Sequence, residues 1–490
     1  MRSSDLKKAT VGWRGKHVCV LGDIMLDRFV YGQVERVSPE APIPVLQFHA
    51  ETIMLGGAGN VARNIAALGG KVTLMGALGD DQSAELIAGP LIAEDGIDGY
   101  FLRRPGVPTT IKTRFVSDGQ QIMRLDVERK QDLTESEADD IASHFERTLV
   151  TVDAMVLSDY AKGVLTAGVI GRIIALARAN RIPVVVDPKS LDIRRYAGAA
   201  VLTPNRSEAE AITQLDCRTS EGAQTAARRI CEQAGVDCVV MTRGAQGMTI
   251  FEKGAPGAAL SIPAVAREVF DVSGAGDTVV AALALSLSAG LDVTSGARVA
   301  NVAAGIAVGK RGTGVVRERE LAAALLESAR SDGKIVDRSA AFAIVREWKR
   351  DGLRVGFTNG CFDLLHPGHV ELLKRSRAGC DRLLVALNSD ASTRRLKGPT
   401  RPVQNETARA LVMASIASVD LVTLFEEDTP LELIELLKPD VLIKGADYSI
   451  DTVVGADVVQ AYGGRVLLVP LEAGHSTSSI IARGARENVS

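Results

Sequence analysis

Asp271-Val272-Ser273-Gly274-Ala275-Gly276-Asp277 runs directly into an apolar helical pattern from Thr278 to Leu287. Glycines that open a helix leave backbone N–H groups free, and these add to the positive end of the helix dipole. The result is a seat for a phosphoryl group whose negative charge must be stabilised during transfer. Asp277 stands at the mouth of that seat, where a carboxylate can take the proton of an attacking hydroxyl as a general base. The plain alternative is a tight turn at Gly274 and Gly276 with Asp277 as a helix cap. A second glycine-rich helix entry, Gly56-Gly57-Ala58-Gly59-Asn60 running on through Ala62 to Gly69, weighs against that alternative.

Outward from these two stretches, short β-branched runs alternate with helical patterns along the whole chain: 17–21, 72–75, 154–157, 183–186, 238–241, 354–358, 382–387 and 441–443. That rhythm predicts an α/β fold with largely parallel sheets. Residues 33–47 and 109–126 break it, and the alternation of Ile111, Thr113 and Phe115 predicts antiparallel strands that form a lid. A length of 490 residues is too great for one ordinary core and predicts two or three domains. From Glu318 to Gly352 the chain is charged and helical, and Ser331-Asp332-Gly333-Lys334 is its clearest break, so the boundary is placed near Gly333, giving domains 1–333 and 334–490. No repeat of 20 to 50 residues recurs, which excludes solenoids and propellers.

Composition removes other classes. With 46% apolar and 24% charged residues, the chain is neither disordered nor fibrous. Its 57 basic and 60 acidic residues leave a formal charge of -3 with both signs scattered, so neither nucleic acid nor an anionic membrane is an expected partner. No apolar run approaches the ~18 to 20 residues of a membrane span. The stretch from Val279 to Leu291 comes nearest, and Ser286 and Ser288 interrupt it. The charged amino terminus lacks an apolar signal core, which predicts a cytoplasmic protein. Cys19, Cys217, Cys231, Cys238, Cys361 and Cys380 form no C-x-x-C pair and are expected as small buried residues.

The paired glycine signatures resemble those of the ribokinase family of carbohydrate kinases, and further motifs follow in that family's order over about the first 320 residues. The resemblance implies that Asp23 and Asp27, at the end of the first strand, bind sugar hydroxyls together with Gly56, Gly57 and Asn60. Asp187-Pro188-Lys189 ends a strand, and Asn205 and Glu208 resemble the Asn-x-x-Glu element that organises Mg²⁺ and ATP phosphates. Thr242, Gly244 and Gly247 resemble the nucleotide loop, with Gly274, Ala275 and Gly276 on the phosphate, and Asn301 near Gly312-Thr313-Gly314 the adenine-side wall. Each has a structural alternative: Asp23 as a strand-end cap, Glu208 as a solvated helix residue, Asn301 as a core amide. No motif of its own marks a protein metal site; Mg²⁺ is expected with ATP, with Glu208 nearby.

In the second half, Asn359-Gly360-Cys361-Phe362-Asp363-Leu364-Leu365-His366-Pro367-Gly368-His369 follows a strand and opens a helical pattern, 370–377. Pro367 suits a first helical turn, Gly368 lets a phosphate near the backbone, and His366 and His369 can share a helix face. Two histidines can also ligate a metal, but no third ligand stands at zinc-like spacing. This H-x-G-H resembles the cytidylyltransferase-like nucleotidyltransferases, which have a doubly wound Rossmann-like fold. The resemblance implies His366 and His369 as donors to the transferring phosphate, Lys397 and Arg401 as a mobile cationic element, and Asp363 at the sugar. It also implies Lys444 and Ser476, Thr477 and Ser478 in substrate and triphosphate motifs; His475 stands where many such enzymes have Arg. Cys361, with no activating base beside it, is assigned no chemistry.

In this order and at these lengths, the two halves resemble the bifunctional enzymes of ADP-heptose synthesis in Gram-negative bacteria. The resemblance implies a ribokinase-like three-layer domain with a small β lid that phosphorylates the anomeric hydroxyl of D-glycero-D-manno-heptose 7-phosphate. The second domain would then join AMP from ATP to heptose 1-phosphate. Lys112, Arg114 and Arg124 on the lid are the expected contacts of the 7-phosphate, or else solvated lid charges. A separate phosphatase is implied, since no D-x-D-x-T signature is present, and lid edges favour a homodimer. The alternatives are another sugar kinase fused to a cytidylyltransferase, or an inactive nucleotide-binding regulator, which the joint presence of Asp277, His366 and His369 argues against.

Overall fold

The computed structural model describes residues 12–255, 259–265, 269–310, 314–332, 334–445 and 450–470. Gly312, Thr313, Gly333, Ala446, Asp447, Tyr448 and all of 475–479 lie outside them. The chain divides into two compact units, one ending at Leu325 and the other beginning at Leu326. That division falls inside the helix Glu318–Asp332, a little ahead of Gly333. The second of the two helices in this stretch, Arg338–Arg350, starts behind an Asp337 cap that accepts from the N–H of Ala340.

In the first unit the central sheet runs in the order Leu260–Ile262, Met248–Glu252, Cys238–Thr242, Val201–Leu202, Val184–Asp187, Ala154–Ser158, His17–Gly22, Lys71–Gly79, Asp98–Arg104. All neighbours are parallel except the two hairpin pairs at the Leu260 edge. Strands such as Val18–Leu21 and Val184–Val186 are buried apolar runs without alternation, as a sheet covered on both faces requires. One face packs Ile141 and Phe145, Ile170 to Ile174, and Ala223 to Ile230 from three helices. The helices Ala58–Ala67 and Ala275–Ser288 lie against strands of the other face, backed by Val293–Ala307. Ala275–Ser288 is buried around almost its whole circumference, so its first turn, with Asp277, is delivered into the interior.

The lid is a four-stranded sheet in the order Pro44–Gly57, Ile24–Val37, Thr110–Ser117, Gln120–Val127. It contains two antiparallel pairs, as expected, but its central pair, Ile24–Val37 with Thr110–Ser117, is parallel. The cause is topological: two strands of the main sheet intervene in sequence, so the chain re-enters the lid by a crossover and not by a hairpin. The first lid strand also begins sooner than the alternation suggests, a single residue, Asp23, after the first sheet strand ends at Gly22.

The second unit is a parallel sheet in the order Leu421–Phe425, Arg382–Asn388, Val355–Gly360, Val441–Gly445, Arg465–Val469. Strand order reverses between Val355–Gly360 and Val441–Gly445. In doubly wound sheets the crevice beyond the carboxyl ends of such a strand pair is where ligands bind. Separate apolar clusters cover the two faces, one built on Ala341, Val345, Leu433 and Ile434, the other on Leu372, Leu373, Ala410 and Met413.

Candidate active sites

In the first unit, strand ends and one helix mouth converge on Asp277. Its Oδ2 accepts from Asn60 Nδ2 at 2.6 Å and its Oδ1 from the Tyr160 hydroxyl at 2.9 Å. Asn60 sits in the first turn of the helix that Gly56 and Gly57 introduce. Gly57 has φ +57°, and a Cβ on Gly56 would lie 2.3 Å from Asp27 Oδ2, so the glycines let the lid root and Asp27 close on each other. Burial pushes the Asp277 carboxyl up to about 6, with the Asp27 charge adding to the rise and the two donors opposing it. Burial, with the charges of Asp277 and Glu208, also holds Asp187 well above the usual carboxylate range.

Asp27 is buried and paired with Arg114, whose guanidinium lies 5.2 Å from the centre of the Phe29 ring. Lys112 and Arg124 point to the same lid face but are held by Asp126, at 3.1 and 2.9 Å. Glu128 reaches Lys112 at 3.4 Å and Lys162 at 2.7 Å.

Asp23 departs from the expectation for it. Its two oxygens accept from the N–H groups of Tyr160, Lys162 and Val164 at 2.9, 3.0 and 3.1 Å, so it anchors a loop instead of standing open to a sugar. Asn205 and Glu208 form a reciprocal capping box at the helix Arg206–Thr213, and the second Glu208 oxygen takes Lys189 at 3.1 Å. Thr242 pairs with Asn205 in a β-bridge, and Gly244 and Gly247 turn the chain at φ +58° and +84°. Asn301 donates to the Pro263 carbonyl at 2.7 Å, a strut beneath that region. Gly274 is the helix cap at φ +78°, and Gly276 faces open space.

Among the described residues no cluster of three or more side chains is arranged to hold a metal ion. Magnesium commonly needs only one or two carboxylates besides nucleotide phosphates. Asp187 and Glu208 stand close enough for the charge of Glu208 to raise Asp187, and a cation arriving with its nucleotide would relieve that crowding.

In the second unit His366 caps the helix Pro367–Ala378, with Pro367 at its first position. The His366 and His369 rings stack with centroids 3.8 Å apart, and Phe362 closes on His369 at 5.1 Å. Burial, then the charges of His366 and Lys397, pulls His369 down to about 4. It is therefore neutral at pH 7 and offers one N–H as a donor. Lys444 spans the two strands of the topological reversal, donating to the Asn359 carbonyl at 3.2 Å. Asp363 again differs from expectation: its side chain has no exposed surface. It grips Arg401 and accepts from the N–H groups of Val403 and Gln404, so both members of the pair fix the 401–404 segment. Arg409, fully buried, donates to the carbonyls of Cys361, Asn388 and Gln404 and to Asp390, tying together the loops that follow two of the sheet strands.

Tyr160, Asp187 and Arg409 were not assigned functions by sequence. Ser158-Asp159-Tyr160-Ala161-Lys162-Gly163, a polar, glycine-containing run at the carboxyl end of a parallel strand, is the signal that points to Tyr160. Ser476, Thr477 and Ser478 lie outside the described residues.

Residues 16–319 match the pfkB family of carbohydrate kinases and residues 357–487 the cytidylyltransferase-like family. Bifunctional protein HldE of Rhodospirillum rubrum is 54% identical, the match covering 96% of this chain and 95% of that protein. The Caulobacter vibrioides HldE is 51% identical, over 96% of this chain and 97% of its own length. Among solved structures, Arabidopsis thaliana ribokinase complexed with ribose and ATP superposes with a TM-score of 0.52 at 21% identity, covering 64% of this chain and 99% of that one. Escherichia coli phosphofructokinase-2 in complex with substrates and products gives 0.52 at 20% identity, over 63% and 98%. At such identities these structures speak to the fold alone. A kinase-family unit and a nucleotidyltransferase-family unit in one chain, matched end to end by these relatives, place the chain in the family of bifunctional HldE proteins.

Proposed function

We propose that the first unit phosphorylates the anomeric hydroxyl of D-glycero-D-manno-heptose 7-phosphate and that the second transfers AMP from ATP to heptose 1-phosphate, giving ADP-heptose. The observation that carries the kinase reading is Asp277 itself: a buried carboxyl, pushed up to about 6, at a glycine-opened helix mouth and held there by Asn60 and Tyr160. It takes the anomeric proton as the sugar oxygen bonds to the γ-phosphorus and the bond to the departing ADP breaks. Asp27, Asn60, Gly56 and Gly57 hold the sugar, and Arg114, with Lys112 and Arg124, receives its 7-phosphate. Magnesium supplies charge neutralisation on the ATP phosphates, and Asn205 and Glu208 would hold it beside Thr242, Gly244, Gly247 and the Gly274–Gly276 mouth.

In the second unit a phosphate oxygen of the sugar attacks the α-phosphorus of ATP, and pyrophosphate leaves. His366 and His369 donate to the oxygens that gain charge, and Lys397, Arg401 and Lys444, with Ser476, Thr477 and Ser478, bind triphosphate. Boundaries near Gly333, a cytoplasmic location and a separate phosphatase acting between the two steps complete the reading. A homodimer formed through the lid is supported by Met123, Leu125 and Val127, which alternate on one strand and are 53, 51 and 41% exposed. Pyrophosphate release by the full chain, offered each nucleoside triphosphate with heptose 1-phosphate or a polyol phosphate, tests the second activity. ATP with the heptose is expected to win; a preference for CTP or for another acceptor would overturn it.

A further inference from the structure

The loop after strand Ala154–Ser158 is fixed from every side. Asp159 accepts from the N–H of Ala161 at 2.8 Å and from the Tyr196 hydroxyl at 2.5 Å. Asp23 takes the three N–H groups already described. Ala161 is held at φ +56°, and Gly163, at φ +114°, passes so close that a Cβ would lie 2.1 Å from the Gln131 carbonyl. A left-handed non-glycine residue costs on the order of 1 kcal/mol or more and persists only where the surroundings over-determine it. What this rigid loop delivers to the kinase site is the Tyr160 hydroxyl, donating to Asp277 at 2.9 Å.

Resting on the assignment of Asp277 as the base, we propose that Tyr160 is a positioning residue for the kinase reaction: its hydroxyl orients the Asp277 carboxylate and favours its ionised, proton-accepting form. Three arguments support this. The Tyr160 phenol is a committed donor, because burial and the surrounding charges of Asp277, Asp187 and Asp27 keep it protonated. Its hydrogen bond and that of Asn60 engage different oxygens of Asp277, which fixes the carboxylate plane in a way one donor alone does not. Burial and the facing carboxylate of Asp27 from the lid strand oppose ionisation of the base, and the two neutral donors counter them, while Asp187, at the end of its own strand, is itself raised by the charge on Asp277. The loop is also tied to the lid through Lys162 and Glu128, so its position follows the element that covers the sugar.

The test is the pH profile of kinase kcat/KM in the full-length protein. Tyr160→Phe keeps the ring and removes the hydroxyl. A hydrogen bond to a charged group is commonly worth about one pKa unit, so the acid limb should move up by about one pH unit. At pH 6 kcat/KM should fall about five- to sixfold, and at pH 5 about tenfold, with KM for ATP and adenylyl transfer unchanged. Placing 3-fluorotyrosine at position 160 strengthens the donor and should move the limb down, which keeps the test decisive should the Phe variant fold poorly. A limb that stays at the wild-type pH in both proteins overturns the proposal, even if kcat falls. Asp277→Asn measured alongside separates the two claims: if it retains more than about a tenth of kcat, the base assignment itself fails.

Discussion

Asp277→Asn replaces the base by an amide of nearly the same size that cannot accept the sugar proton. With its pKa at about 6, Asp277 is about nine-tenths ionised at pH 7 and only about one-tenth ionised at pH 5. The sign follows directly: the active form is the carboxylate, gained as pH rises through 6 and lost as it falls. Wild-type kinase kcat/KM should therefore be about tenfold below its plateau at pH 5. The Asn variant should lose ~10² to 10⁴ in kcat and, with no carboxyl to titrate, lose the acid limb as well. Its amide still offers an acceptor to one of the donors Asn60 and Tyr160, so KM for ATP should hold. Continuous assay of ADP release from pH 5 to 8, with heptose 7-phosphate, decides the matter. Retention of more than about a tenth of wild-type kcat, or a flat wild-type profile between pH 5 and 7, would refute the reasoning.

Gly56→Ala forces a methyl against Asp27 Oδ2 and should raise KM for the sugar phosphate well beyond KM for ATP. Arg114→Ala, which strips the buried Asp27 of its cation, should do the same more strongly than Arg124→Ala, whose partner is the more exposed Asp126 pair. Gly247→Ala combines φ +84° with a Cβ 2.0 Å from the Ile262 carbonyl and should destabilise the first unit by about 2 to 4 kcal/mol in urea unfolding, leaving the second unit's transition in place. His366→Ala or His369→Ala should each cut adenylyl transfer by ~10² to 10³ and leave the kinase untouched. Because His369 stays neutral down to about 4, its titration should leave no mark on that rate between pH 6 and 8. Fragments 1–333 and 334–490, expressed separately, should each keep one activity; fragments that work only when mixed would count against independent sites.

Strand rhythm and glycine-opened helices were legible because each rests on local chemistry: apolar runs for buried parallel strands, and Gly274 and Gly57 for backbone that must turn left-handed or nearly touch a neighbour. The parallel centre of the lid was not, since pairing across a crossover leaves no trace in the alternation of Ile111, Thr113 and Phe115. Residue type also misled where it could not reveal a partner. Asp23 and Asp363 have the chemistry of sugar ligands, yet backbone N–H groups of distant loops claim them. Tyr160 shows the converse, since a tyrosine two residues past a strand reads as ordinary packing until the helix from Ala275 brings Asp277 beneath it.

The central claim is that one chain performs two different phosphorus transfers on consecutive forms of one sugar. Mass spectrometry of products from the purified full-length protein, given ATP, Mg²⁺ and D-glycero-D-manno-heptose 7-phosphate, tests it most directly. Without further enzyme the product should be the 1,7-bisphosphate alone; with an added phosphatase that removes the 7-phosphate, ADP-heptose and pyrophosphate should appear. Asp277→Asn should make neither product from the 7-phosphate, yet form ADP-heptose from supplied heptose 1-phosphate. Unchanged heptose 7-phosphate, or a bisphosphate that never proceeds to the nucleotide sugar after phosphatase treatment, would contradict the account.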